Sequence, residues 1–137
     1  MAIVLADVGA ANILTDRFRA TKDITLRLFA TNVTPTDAST NSSFTEAAGG
    51  GYAAKTLTGG TGSVGDDGAG IQQIAWAEQT WTFTGPLTTN TTVYGYETLD
   101  GTTLLWAELL PTPFTPASNG DQLKITPVFK LSKRTPT

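Results

Sequence analysis

The most regular alternation of apolar and polar positions lies in the run Ile24–Phe29. Its isoleucine and leucines occupy every second position, and Thr25 and Arg27 fall between them. Alternation with a period of two places one side of an extended chain against a core and the other towards solvent. This run therefore predicts a half-buried strand.

A second pattern predicts a β-hairpin. Residues 92–99 and 102–109 are both rich in β-branched, aromatic and leucine side chains, and Asp100-Gly101 separates them. An Asp-Gly pair between two such runs is a strong short-range signal for a tight two-residue turn. In the register that this turn sets, Gly95 lies opposite Trp106, whose indole would cover the bare glycine backbone.

The remaining elements are less regular. Glycine and proline clusters divide the chain between apolar runs, and such clusters are typical of turns and breaks. Phe44 is a lone apolar residue directly after a polar connection over 31–43 and is expected to anchor it to the core. The patterns predict a short helix over 10–19, a strand over 52–58 and a mobile glycine-rich loop over 59–70. They also predict one long strand, or two strands with a bulge, over 71–83, and a strand over 123–131 that lies at an edge or carries a bulge at Pro127.

Six to eight short strands with almost no helix predict an all-β fold, specifically an antiparallel, jelly-roll-like β-sandwich. The length of 137 residues suits one domain. We divide it into an N-terminal arm or short helix over 1–20, a β-sandwich domain over 21–132 and a C-terminal tail over 133–137.

The composition limits the chemistry that the chain can perform. It contains no histidine and no cysteine, only 15% of its residues are charged, about a fifth are threonine, and the net charge is −3. The commonest general base and the usual zinc ligands are therefore missing, and there is no basic patch for nucleic acid. No run approaches the roughly 20 apolar residues of a membrane span. The expectation is a protein that is not an enzyme, has no catalytic, cofactor-binding or metal-binding residues, and binds neither nucleic acid nor membrane.

Two ligand motifs overlap in the glycine-rich segment. Residues 60–65 match the spacing G-x-G-x-x-G, but Asp66 and Asp67 follow where a dinucleotide site needs a helix and room for phosphate. The two aspartates could instead contribute oxygen ligands to a calcium site, although the repeated Asp-containing turns of calcium-binding glycine repeats are absent. A flexible loop is the preferred interpretation.

Paired carboxylates would suggest a glycosidase. In the predicted hairpin register Glu97 and Glu108 share a face but lie far apart along it, and Glu78 has no assignable partner. A face carrying acids and tryptophans could also bind sugar. The three tryptophans, at 76, 81 and 106, are more simply interpreted as core or interface anchors.

One set of segments resembles a group of small structural proteins of tailed bacteriophages. It comprises Leu26-Arg27-Leu28-Phe29 with Asn32 and Thr34-Pro35-Thr36-Asp37, then Phe44-Thr45-Glu46-Ala47, Gly51-Tyr52, Leu57-Thr58, Val93-Tyr94-Gly95-Tyr96 and Leu105-Trp106-Ala107-Glu108. The similarity covers most of residues 24–131 and consists of core and turn residues. The glycine-rich insert at 59–70 departs from the pattern.

The resemblance implies a capsid cement or decoration protein. Such a protein would be a jelly-roll-like sandwich, often trimeric, that binds the major capsid protein on the surface of the virion and stabilises the head lattice after synthesis in the host cytoplasm. Segments 1–20 and 31–50 would serve as arms that reach a neighbour. The alternative is a tail or fibre-associated, receptor- or glycan-binding module, and a third class is a small carbohydrate-binding or hydrolase domain.

Overall fold

The computed structural model describes residues 7–16 and 22–131, and this part of the chain is built from antiparallel β-strands with one short α-helix. The all-β class is therefore confirmed. The elements are α1 Asp7–Leu14, β1 Ile24–Phe29, a 3₁₀ turn Asn41–Ser43, β2 Lys55–Leu57, β3 Ser63–Asp66, β4 Gln72–Ala75, β5 Gln79–Thr82, β6 Val93–Asp100, β7 Thr103–Phe114, β8 Gln122–Ile125 and β9 Val128–Leu131.

The chain divides into two compact units, each assembled from separate stretches of sequence. The described residues of the first unit are 7–16, 22–23, 57–78 and 126–131, and the second unit comprises 24–56 and 79–125. The boundaries predicted for the arm and the tail, at residues 20–21 and 132–133, lie outside the described residues.

The first unit contains the three-stranded sheet β3-β4-β9. Ile74 of β4 is fully buried, and it pairs with Val64 on one side and with Phe129 on the other. Helix α1 packs on β3 and β4 through Ala10 and Leu14, which are four residues apart and so lie on one helix face. The helix was predicted over 10–19, so it begins earlier than expected and ends at Leu14; residues 17–19 of that prediction are outside the described residues.

The second unit contains the four-stranded sheet β2-β1-β6-β7 and the two-stranded sheet β5-β8. Strand β1 has the predicted bounds, and its apolar positions are buried. Strand β6 is central, and it is buried on both faces from Gly95 to Leu99. Phe44 is buried and stacks on Phe29 with ring centroids 4.5 Å apart, so the predicted anchor is confirmed.

The hairpin exists, but its predicted register is wrong. Asp100 pairs with Thr103, which leaves Gly101 and Thr102 as the turn residues, and Gly101 has a φ of +63°. A register shift then follows between Thr98 and Leu99. At this shift the Thr98 hydroxyl bonds to the backbone of the partner strand. It accepts the Trp106 N–H at 3.3 Å and donates to the Trp106 carbonyl at 3.0 Å.

The aromatic ring that lies against Gly95 is that of Phe29, and the prediction of Trp106 is wrong. Gly95 pairs with Leu109 in β7 and with Phe29 in β1. A β-carbon built on Gly95 would overlap the Phe29 ring and the Glu108 carbonyl oxygen. Glycine is therefore required at this position by the close approach of Phe29, and Trp106 lies opposite Thr98 instead.

The glycine-rich segment was predicted to be a mobile loop, and this is wrong for much of its length. Residues 63–66 form β3, which pairs with β4. Asp66 and Asp67 then close a turn by accepting backbone hydrogen bonds from the residues that follow them. Carboxylates that accept local N–H groups fix a turn even where several glycines would otherwise leave the backbone free.

Two long predicted strands are each divided in the structure. The run 71–83 forms β4 and β5, and the run 123–131 forms β8 and β9. The second break falls at Thr126-Pro127, as expected for a residue that has no N–H to donate to a ladder. The Pro127 carbonyl still accepts the Trp76 N–H at 3.0 Å.

Candidate functional site

A network of charged side chains lies on one face of the four-stranded sheet. Arg27 of β1 pairs with Glu97 of β6 in the ladder, and its Nε and Nη2 donate to Glu97 Oε1 at 3.0 and 2.5 Å. Its Nη1 donates to Glu46 Oε2 at 3.3 Å. Tyr52 donates its hydroxyl proton to Glu46 Oε1 at 3.0 Å and accepts the Leu28 N–H at 3.1 Å.

The network joins three segments that are distant in sequence. Glu97 is completely buried, and its second oxygen, Oε2, has no hydrogen-bond partner among the described residues. Loss of solvation raises the pKa of Glu97, although the hydrogen bonds from Arg27 oppose that rise. Burial likewise raises the pKa of Tyr52.

Glu97, the buried member of the network, is closed to substrates. General acid–base chemistry requires a group within hydrogen-bond reach of a reactant, and no solvent reaches the Glu97 side chain. Arg27 had been assigned to the polar side of β1, and Glu97 had been considered only as a possible partner of Glu108 in a carboxylate pair. The alternation of polar with apolar positions gave no sign that Glu46 and Tyr52 would cover that side.

The glycosidase arrangement of Glu97 and Glu108 does not form. Glu108 pairs with Tyr96, one residue before Glu97, so Glu97 and Glu108 lie on opposite faces of the sheet. Glu108 Oε2 accepts the Tyr96 hydroxyl at 2.6 Å, and burial together with this acceptor raises the pKa of Tyr96. Glu78 is exposed and belongs to the first unit.

The Asp66-Asp67 turn uses its carboxylates internally. Asp67 Oδ1 accepts the N–H groups of Ala69 and Ile71 at 2.8 and 3.2 Å, and its Oδ2 accepts the Lys130 ammonium at 2.9 Å. These bonds, led by the one from Lys130, lower the pKa of Asp67 to about 2. Among the described residues no group of three or more acidic side chains converges on a metal position.

The tryptophans do not form one sugar-binding face. Trp76 is buried in the first unit, and Trp81 is buried in the second. The Trp81 indole donates to the Ala53 carbonyl at 2.9 Å, and the Lys55 ammonium lies 5.4 Å from its ring centroid. Trp106 alone is half-exposed.

The outer edge of β7 is the strongest candidate for an interaction surface. β7 has 12 residues and, among the strands that the structure describes, pairs only with β6. Its half 103–110 has six half-buried apolar residues and a single charge, Glu108, whereas Pro111 and Pro113 interrupt the other half. An edge strand with little charge and no proline is a template for another strand.

Some backbone N–H and C=O groups of β7 point away from β6. The N–H and C=O of Trp106 point towards β6, because both bond to the Thr98 hydroxyl. In an antiparallel ladder alternate residues point their backbone groups in opposite directions, so those of Ala107 and Leu109 point away from β6. Beside them lies a groove of about 410 Å³ between residues 104–107 and the loop 35–39.

Comparison with known protein families, curated proteins and solved structures finds no match to this chain. Within the described ranges, no helix is both long and apolar enough to cross a membrane. The function proposed below therefore depends on the sequence pattern and on these surfaces.

Proposed function

We propose that this chain is a capsid cement or decoration protein of a tailed bacteriophage. In this proposal it forms a jelly-roll-like β-sandwich, assembles as a homotrimer on the virion surface and stabilises the head lattice by binding the major capsid protein. The role is structural and requires no catalytic group. The observation that carries the proposal is the edge of β7, which is long, apolar and open to a further strand.

Trimer formation would protect this edge. A single copy exposes the backbone groups of Ala107 and Leu109, and an exposed edge promotes uncontrolled pairing. In a closed ring with head-to-tail contacts, the β7 edge of every copy contacts a second surface of the next copy. No β7 edge then remains exposed. The low charge of the chain, 15% of residues, favours close contact between copies because few charges need to be desolvated.

Two arms were expected to contact the capsid, and the structure refines both expectations. In the segment 31–50, the Ala30 and Ala47 N–H groups donate to the Thr45 and Leu28 carbonyls, so residues 45–47 are docked on β1. The proposed arm is therefore limited to the earlier part, 31–43. In the segment 1–20, α1 has two exposed apolar side chains, Val8 at 74% and Ile13 at 48%, which suits a contact with the lattice.

Sedimentation velocity tests the trimer. The wild-type chain should sediment as a trimer, and Leu105→Lys should shift it to monomer, because a charge on an edge strand opposes pairing. Thr112→Lys adds the same charge at an exposed position in the proline-containing half of β7 and should remain trimeric. A monomeric wild type, or equal behaviour of the two variants, would refute edge-mediated assembly.

Capsid attachment has a separate test. Deleting residues 1–20 would also remove Ala10 and Leu14 from the first unit, so it would damage the fold. The double variant Val8→Asn/Ile13→Gln changes only the exposed side of α1 and should weaken binding to heads that lack the protein. Undiminished binding by this variant, at unchanged thermal stability, would remove α1 from the proposed contact.

A further inference from the structure

A second concavity lies where β1 ends and β6 begins. Phe29 and Gly95 pair across these two antiparallel strands, so the chain leaving β1 runs beside the chain entering β6. Residues 30–32, residues 90–92 and Tyr94 enclose about 400 Å³. This volume is within the usual range of small-molecule sites, roughly 300–1,000 Å³. We call it the Asn32–Asn90 pocket.

Two side-chain hydroxyls of the pocket form hydrogen bonds to neighbouring segments. Thr31 Oγ1 accepts the Thr45 N–H at 3.2 Å, and the Thr92 hydroxyl bonds to the Thr115 hydroxyl at 2.7 Å. Both segments are thereby tied to neighbouring parts of the second unit. The pocket thus has a defined shape before any ligand enters.

Three other polar side chains in the pocket have unused hydrogen-bonding capacity. Asn32, Asn90 and Thr91 are exposed, and their side chains make no hydrogen bond to any described residue. Asn90 is also the one non-glycine residue in the described ranges with a positive φ, +52°. That conformation is strained for most residues and is tolerated best by asparagine and aspartate, and such outliers are frequent in ligand sites.

The chemistry of the lining selects one class of ligand. No charged side chain lines the pocket, so an ionic ligand would lose solvation without gaining a partner. An asparagine amide donates two hydrogen bonds and accepts two, which matches adjacent sugar hydroxyls that also donate and accept. The half-exposed Tyr94 ring supplies an apolar surface for the C–H face of a pyranose.

We propose that the Asn32–Asn90 pocket binds a neutral saccharide, with the Asn32 and Asn90 amides and the Thr91 hydroxyl bonding to its hydroxyls. This goes beyond capsid cementing, which requires no sugar site. On a particle that carries many copies, weak sites of this kind would add up to firm attachment to a glycan-bearing surface.

The test is an NMR titration of the isotopically labelled full chain with maltohexaose, cellohexaose and chitohexaose in turn. At least one of these neutral saccharides at millimolar concentration should shift the Asn32 and Asn90 side-chain amides together with Tyr94. The double variant Asn32→Ala/Asn90→Gly removes both amides, and glycine keeps the positive φ at position 90. It should weaken binding at least about tenfold.

The control variant is Asn119→Ala, which removes an exposed amide from a turn outside the pocket and should bind like the wild type. The proposal is overturned if all three saccharides leave these resonances unmoved. It is also overturned if the double variant binds as well as Asn119→Ala, or if an acidic saccharide such as oligogalacturonate binds more tightly than the neutral ones. Because the titration uses the isolated chain, its outcome is independent of whether the chain is found on capsids.

Discussion

Glu97 lies opposite Arg27 in the β1–β6 ladder, and its Oε1 accepts two hydrogen bonds from the guanidinium. The carboxylate is completely shielded from solvent, whereas the Arg27 side chain is 21% exposed. The pair fixes the register of the two strands on a face that also contains Phe29 and Leu99. A slip by one residue would separate the two charges and leave one of them buried without a partner.

Arg27→Met should destabilise the fold by about 3–5 kcal/mol, because it leaves the Glu97 carboxylate buried without its counter-ion. The double variant Arg27→Met/Glu97→Leu should recover most of that loss, since a buried pair replaced by apolar side chains is often neutral. Urea unfolding measures both. Lys124→Met, at an exposed position of β8, is the control and should have little effect. A double variant no more stable than Arg27→Met would contradict this view of the pair.

The raised pKa of Glu97 predicts a pH dependence. The folded state holds the Glu97 proton more tightly than the unfolded state, so this residue contributes most to stability below its ordinary pKa of 4.5. The contribution declines as the pH rises through the folded-state pKa. Glu97→Gln removes the titration, so the stability of the wild type relative to this variant should fall as the pH rises above about 4.5. If the wild type instead gains stability relative to Glu97→Gln as the pH rises, the hydrogen bonds from Arg27 lower the pKa of Glu97 by more than burial raises it.

The aromatic pair Phe29–Phe44 should contribute more to the stability of the fold than Trp106 does. Phe29 is fully buried, contacts Gly95 and stacks on Phe44, so Phe29→Ala should cost about 3–5 kcal/mol. Trp106 is half-exposed and lies over the groove beside β7, so Trp106→Ala should cost less. Chemical denaturation of the two variants makes the comparison. A larger loss for Trp106→Ala would contradict this ranking of the aromatic side chains.

Three glycine-to-alanine variants separate turn strain from steric overlap. Gly101 has a positive φ and open space around it, so Gly101→Ala should cost about 1 kcal/mol from backbone strain alone. Gly62 was expected to tolerate alanine in a mobile loop, but a β-carbon there would lie 2.6 Å from Ile74 Cδ1 and 3.0 Å from Trp76 Nε1. Gly62→Ala should therefore also destabilise the fold, by roughly 1–3 kcal/mol for overpacking.

Gly65→Ala is the control for both variants, because Gly65 lacks a positive φ and has nothing within 4 Å of the added carbon. Thermal melts should rank it closest to the wild type. An unchanged melting temperature for Gly62→Ala would mean that a β-carbon fits at position 62, as expected for a mobile loop.

Local sequence patterns predicted β1 and the existence of the hairpin, because alternation and an Asp-Gly pair act over a few residues. They did not predict the register, since the shift at Thr98 depends on a hydroxyl that replaces ladder bonds to Trp106. They also misjudged the glycine-rich segment, where Asp67 is held by Lys130 from 63 residues away. The Asn32–Asn90 pocket was equally hidden, because only the pairing of β1 with β6 brings its two sides together and neither side predicts the other.

The cement proposal depends on where the protein is located and in how many copies. The most direct measurement is quantitative mass spectrometry of purified virions combined with cryo-electron microscopy of their heads. The account predicts hundreds of copies per particle, seen as three-fold density on the outer surface of the head lattice. A few copies per particle, located on the tail, would contradict it and would favour a tail or fibre-associated module.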